Sequence, residues 1–251
     1  FSSLSVWIMF LLARRVSSPG TALLAAAFLC LSPLDVATCH HASGDSAAAF
    51  FALVSLLFSV RILQRGGALD YVLAAAACMC SFSAKYHGSL AAVSLVTAHI
   101  LRAGSPKELL GLKSIGRAVL VLATVIAVFF LANPATLVQT NKGIEQIFEC
   151  FFSASQAGQN AAMRAMNPLS RWLYSAKLNL PVFAEFMSPV LLVFSLAGIV
   201  MAFFTDKSRR VVAVLPILYV LTGLSRKTAG NPVYSTLVTP AARLTPRAGP
   251  N

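Results

Sequence analysis

The chain has 251 residues, 57% of them hydrophobic and only 11% charged, where a soluble domain carries about 25% charge. A mean hydropathy of +0.76 excludes an ordinary soluble domain and points to an all-α, polytopic membrane bundle. The net charge of +12 would raise nucleic acid as a partner in a soluble protein. Here the Lys and Arg residues stand in short clusters between apolar runs, as topology signals do, and no nucleic-acid partner is expected.

Eight apolar runs follow one another at 4–13, 21–36, 46–63, 69–84, 88–101, 118–132, 186–204 and 211–224. Residue 1 is Phe and opens inside an apolar run with no charged stretch before it. The first run is therefore expected to be a truncated span rather than a signal peptide. Several runs are shorter than the roughly 20 residues of a spanning helix. The pair 69–84 and 88–101 predicts a helical hairpin that tilts or ends within the headgroup layer. Ala, Gly and Ser are frequent in the runs, which lets helices approach closely. Pro33 and Pro216 are expected to distort the helices that contain them. The bundle is expected over 1–224, with a proline-rich, poorly ordered tail at 225–251.

Between the sixth and seventh runs lies one long connector, 133–185. Asn133-Pro134 ends the preceding helix, because a residue before Pro disfavours helical geometry. Ile144, Ile147, Phe148, Phe151 and Phe152 recur at helical spacing and form one apolar stripe. Such a helix lies flat in the interface or packs on a small extramembrane cap. Trp172 and Tyr174 suit a headgroup-level anchor.

The connectors alternate in charge. Arg14, Arg15, Arg61, Arg65, Arg102, Lys107, Lys113, Arg117, Lys207, Arg209 and Arg210 fall in one set. The 37–45 connector, Lys85, the 133–185 segment, Arg226 and Lys227 fall in the other. The positive-inside rule places the first set in the cytoplasm and the second on the periplasmic or lumenal side. The five cysteines, Cys30, Cys39, Cys78, Cys80 and Cys150, lack zinc or redox spacing and read as small buried hydrophobes.

The candidate chemistry sits in the second set. Asp45 is one of only 8 acidic residues, and an acid at the mouth of a membrane helix pair is costly without a task. It reads equally as the N-cap of the third helix. His40 and His41 are accessory candidates. With Asp45 and His87 they leave a divalent metal open, though adjacent histidines project apart and the default is a solvated loop. Lys85, in Ser83-Ala84-Lys85-Tyr86-His87-Gly88, can snorkel or bind a phosphate as a point charge, with Tyr86 and His87 adding donors. Arg226 and Lys227 are headgroup anchors or phosphate ligands. Asp35, near Pro33, is expected to share the aqueous face of Asp45 or to cap a broken helix. Asp70 and Asp206 are assigned no function.

Several features in order resemble a known group. They are an outer connector ending in Asp45 before a Phe-rich helix, an Ala-rich hairpin broken by Lys85-Tyr86-His87-Gly88, a helix ending in Asn133-Pro134, a loop with Trp172 and Tyr174, and a helix ending in Thr205-Asp206-Lys207-Ser208-Arg209-Arg210. Over roughly 21–224 the chain resembles glycosyltransferase family 39, the protein O-mannosyltransferase and aminoarabinose-transferase-like enzymes of the GT-C superfamily. The resemblance implies a multi-pass protein of a bacterial inner membrane or the endoplasmic reticulum, with its active face periplasmic or lumenal. It implies a lipid-phosphate-sugar donor as substrate and a lipid, glycan or protein acceptor, with membrane lipids around it. The family's main catalytic Asp lies in the first outer loop, which is expected to precede residue 1, so this stretch alone is expected to be inactive. Asp45 matches the acid of the next outer loop, and Lys85 matches a basic position suited to the donor phosphate. Asn231-Pro232-Val233-Tyr234 is a degenerate version of a later family motif. The alternatives are a transporter, which calls for paired broken helices in two halves, and an inactive membrane scaffold.

Overall fold

A computed structural model describes residues 1–32, 36, 44–134, 167, 169–170, 173–174, 177 and 189–225. Among them the chain forms α1 (Ser2–Val16), α2 (Pro19–Cys30), α3 (Asp45–Gln64), α4 (Ala68–Ala84), α5 (Ala91–Ala103), α6 (Pro106–Leu109), α7 (Leu112–Ala132), α8 (Pro189–Phe203) and α9 (Lys207–Ser225). A 3-10 helix, Tyr86–Leu90, joins α4 to α5, and the described residues contain no strand. The protein is an all-α membrane protein, and each of the eight apolar runs corresponds to a helix. Two of them, α3 and α7, are long and apolar enough to cross a bilayer, while α2 and α4 are shorter apolar helices. Asp35, His40, His41, the stripe at 144–152, Trp172, Arg226, Lys227 and the 231–234 motif lie outside the described residues.

The centre of the bundle is the α3–α4 pair. On α3, Ala48, Ala52, Ser55, Ser59 and Ile62 are buried and spaced alternately four and three residues apart, which places them on one face. On α4, Ala74, Ala77, Cys78 and Ser81 answer with similar spacing. Small side chains let the backbones close up, and two serines bond across the gap. Ser55 Oγ donates to the Ala74 carbonyl at 3.0 Å and Ser81 Oγ donates to the Ala48 carbonyl at 2.8 Å. In membrane proteins such bonds contribute on average about 0.6 kcal/mol each.

The pair expected as a hairpin from 69–84 and 88–101 is joined by the 3-10 turn and remains in contact, but each helix packs chiefly elsewhere. Helix α4 packs chiefly on α3 and α7, whereas α5 packs chiefly on α3 and α9. The cause is α3 itself, which also buries Leu56, Leu57 and Val60 and so receives both neighbours. Val211, Ala213 and Leu215 of α9 are buried as well, and Pro216 lies inside that helix without ending it. Helix α2 stops at Cys30, short of the run that continues to residue 36. Pro33 follows closely in sequence and disfavours helical geometry just before it.

The two ends of the bundle differ in chemistry. At one end Gln64 Nε2 donates to the Arg15 carbonyl at 3.1 Å, and Arg209 Nε donates to the Val16 carbonyl at 3.1 Å. Arg102 donates to the carbonyls of Ile62 and Leu63 at 3.0 and 3.1 Å. Arg61 and the buried Asp70 pair at 2.8 Å and clasp the α3–α4 turn. The opposite end gathers Phe1, Asp45, Lys85 and Asn133.

Candidate functional site

Asp45 opens α3, and Gly44 rather than Asp45 takes the N-cap position. The expected capping role is thereby shifted by one residue. Asp45 becomes the acid of the first turn, where the helix dipole favours negative charge. Its carboxylate meets the Lys85 ammonium in an ion pair. Lys85 is the C-cap of α4, where the dipole favours positive charge. The two groups come from helix ends forty residues apart in sequence, and both stay about one third exposed, at 36% and 38%. A pair exposed to that degree contributes about 0–1 kcal/mol.

Close backbone contacts fix this corner. A Cβ on Gly44 would lie 2.5 Å from the Ala84 carbonyl oxygen, and one on Gly88 would lie 2.3 Å from the Ser81 carbonyl oxygen. Both contacts are against backbone, so neither can be relieved by a rotamer change. Gly88 therefore lets the 3-10 helix wind directly onto α4, and His87 follows Lys85 by two residues on that turn, at intermediate exposure. On the other flank Asn133 Nδ2 donates to Ser83 Oγ at 2.9 Å and to the Phe129 carbonyl at 3.0 Å. That tie fastens the end of α7 to the end of α4.

Beside Phe82, one turn before Lys85 on α4, lies a groove of about 450 Å³ whose lining is apolar apart from Ser89. It is formed by Cys78, Met79 and Phe82 of α4, Ala92 of α5, and Val125 and Phe129 of α7, among others. The charged corner and the apolar groove are thus adjacent along α4.

The structure brings together Asp45 and Lys85, and His87 lies on the 3-10 helix that follows Lys85. Tyr86 lies in the same 3-10 helix. His40, His41 and Arg226 lie outside the described residues. Among the described residues no three of His, Cys, Asp and Glu gather as metal ligands. Sequence reasoning read Asn133 only as a helix end and did not single out Ser83. The available signal was that Asn133 is an amide donor placed where an apolar helix meets water.

The model of the dolichyl-phosphate-mannose-protein mannosyltransferase family matches residues 1–133, just over half of the 251 residues. No curated protein and no solved structure matches the chain. The matched stretch holds α1 to α7 and every described residue of the charged corner.

Proposed function

The chain belongs to the dolichyl-phosphate-mannose-protein mannosyltransferase family, and on that premise we propose that it transfers a sugar from a polyprenyl-phosphate donor to an acceptor hydroxyl at the Asp45–Lys85 end. At the family level it is a mannosyltransferase-like membrane glycosyltransferase. The observation that carries the finer reading is the partly exposed ion pair one helical turn along α4 from a mainly apolar groove. A donor of this class has one anionic phosphate and a long apolar tail. The groove suits the tail, and Lys85 suits the phosphate as a compact point charge.

Binding of the phosphate draws Lys85 away from Asp45 and frees the carboxylate. The acceptor hydroxyl then attacks the anomeric carbon. Its oxygen forms the new glycosidic bond while the bond from that carbon to the phosphate oxygen breaks with its electron pair. Asp45 orients the hydroxyl and stands where its proton can be received. Lys85 stabilises the departing lipid phosphate, and the His87 turn adds donors. Asp45 supports this chemistry together with any further acid the active site contains. The family's multi-pass topology, with this end periplasmic or lumenal, agrees with the basic residues collecting at the opposite end.

The test is sugar transfer by the full-length protein in membranes, using a radiolabelled polyprenyl-phosphate mannose. Asp45→Asn and Lys85→Gln should each lower the rate by about a hundredfold. The exchange variant Asp45→Lys with Lys85→Asp restores an ion pair and should still be inactive. Wild-type transfer by that exchange variant would reduce the pair to a structural tie.

A further inference from the structure

At the basic end, remote from the Asp45–Lys85 corner, a half-open cavity of about 780 Å³ lies among the ends of α3 and α5 and the starts of α4, α7 and α9. Its charged lining is Arg102, Lys113, Arg117 and Lys207 against a single acid, Glu108. The only ion pairs among the described residues are Arg61–Asp70 and Lys85–Asp45, so none of these four cations is paired with a described carboxylate. Four cations converging on one cavity repel one another, and a bound anion relieves that repulsion.

The cavity wall is built rather than incidental. Tyr71 is 1% exposed, and its hydroxyl bonds to His99 Nδ1 at 2.9 Å. His99 Nε2 bonds in turn to Ser114 Oγ at 2.8 Å. The Arg117 guanidinium stands 5.5 Å from the centre of the Tyr71 ring, a cation–π distance. Arg102 is anchored on the carbonyls of Ile62 and Leu63. Two arginines are thus held in place by fixed partners. Lys113 and Lys207 make no hydrogen bond or ion pair among the described residues. The fixed arginines and the two ammonium groups without described partners are of the types that bind phosphate.

We propose that this cavity is a second anion site, which takes a phosphate group carried by an anionic lipid headgroup or supplied free from solution. Basic cavities between membrane helices on the cytoplasmic side are suited to lipid phosphates. The site is independent of the donor reading, because it uses other residues at the other end of the bundle.

The full-length protein in phosphatidylcholine nanodiscs provides the test. One arm adds phosphatidic acid to the nanodisc, and the other adds inorganic phosphate at constant ionic strength. Thermal stabilisation and lipid retained in native mass spectra are read in both. Stabilisation by the lipid alone identifies the headgroup, and equal stabilisation by inorganic phosphate identifies a soluble ligand. Lys113→Gln with Arg117→Gln should weaken binding by about thirtyfold, and Arg117→Lys should keep most of it. If the double variant does not fold, the exposed Lys207→Gln carries the test with an expected loss of about fivefold. Stabilisation by neither probe, or equal binding by wild type and the charge-removed variants, overturns the proposal.

Discussion

Two ion pairs show how burial decides what a charge can do. Asp70 has a side chain only 6% exposed and meets Arg61 at 2.8 Å, at the turn between α3 and α4. Removing one partner of a buried pair strands the other and costs about 3–5 kcal/mol. Arg61→Ala should therefore lower stability by about 3 kcal/mol, measured as reduced resistance to denaturant in detergent. An unchanged midpoint would mean that water reaches Asp70 freely. Asp45 and Lys85 are far wetter, and the same truncation there should cost under about 1 kcal/mol. That contrast separates a buried structural clasp from the partly exposed pair proposed to meet substrate. The sequence showed both acids and marked Asp45 as the expensive one. It could not show that Lys85 would be its partner, because no local pattern encodes a contact across forty residues. It assigned Asp70 no function and did not pair it with Arg61, a contact that the structure supplies.

At the level of elements, the α3–α4 contact depends on side-chain size. Ala74 and Ala75 are fully buried where α4 faces its neighbours, and Ser55 reaches the Ala74 carbonyl. Ala74→Leu should cost about 1–3 kcal/mol by overpacking and should separate the two helices. Val119→Leu, on the exposed side of α7, should change stability by less than about 0.5 kcal/mol. Thermal unfolding of the two variants in the same detergent makes the comparison, and equal midpoints would argue against a tight α3–α4 seam. The helices themselves were legible, because each apolar run is a helix. Their ends were less so. Helix α7 begins at Leu112, ahead of the apolar run at 118–132, because Lys and Arg are good helix formers and a hydropathy reading stops at Lys113 and Arg117. The segment 86–90 is 3-10 rather than α for a reason that hydropathy also misses, the close seat of Gly88 on Ser81. The same blindness hid the Tyr71–His99–Ser114 line, whose members stand on three helices.

Across the whole molecule, the exposed apolar surface of α7 needs a covering solvent. Ile115, Val119, Leu122 and Ile126 are all exposed and recur at helical spacing, while Val121 and Val125 turn toward the core. A helix of 21 residues with one face packed and the other apolar and bare is stable when that face meets lipid. It also joins the two chemically different ends. Its start lies beside the basic cavity, and its last turn leads to Asn133 and its tie to Ser83. If α7 crosses the bilayer, positions just before and just after it must face opposite compartments. Both Lys107 and Pro134 are exposed and flank it. In a variant freed of its five native cysteines, Lys107→Cys should react with an impermeant maleimide only in inverted vesicles. Pro134→Cys should react only in vesicles of native orientation. Labelling of both from one side would make α7 a surface helix, and the charged corner and the basic cavity would then share one compartment. That outcome would remove the separation between the proposed lumenal transfer site and the proposed cytoplasmic phosphate site, so this single helix decides the orientation of both.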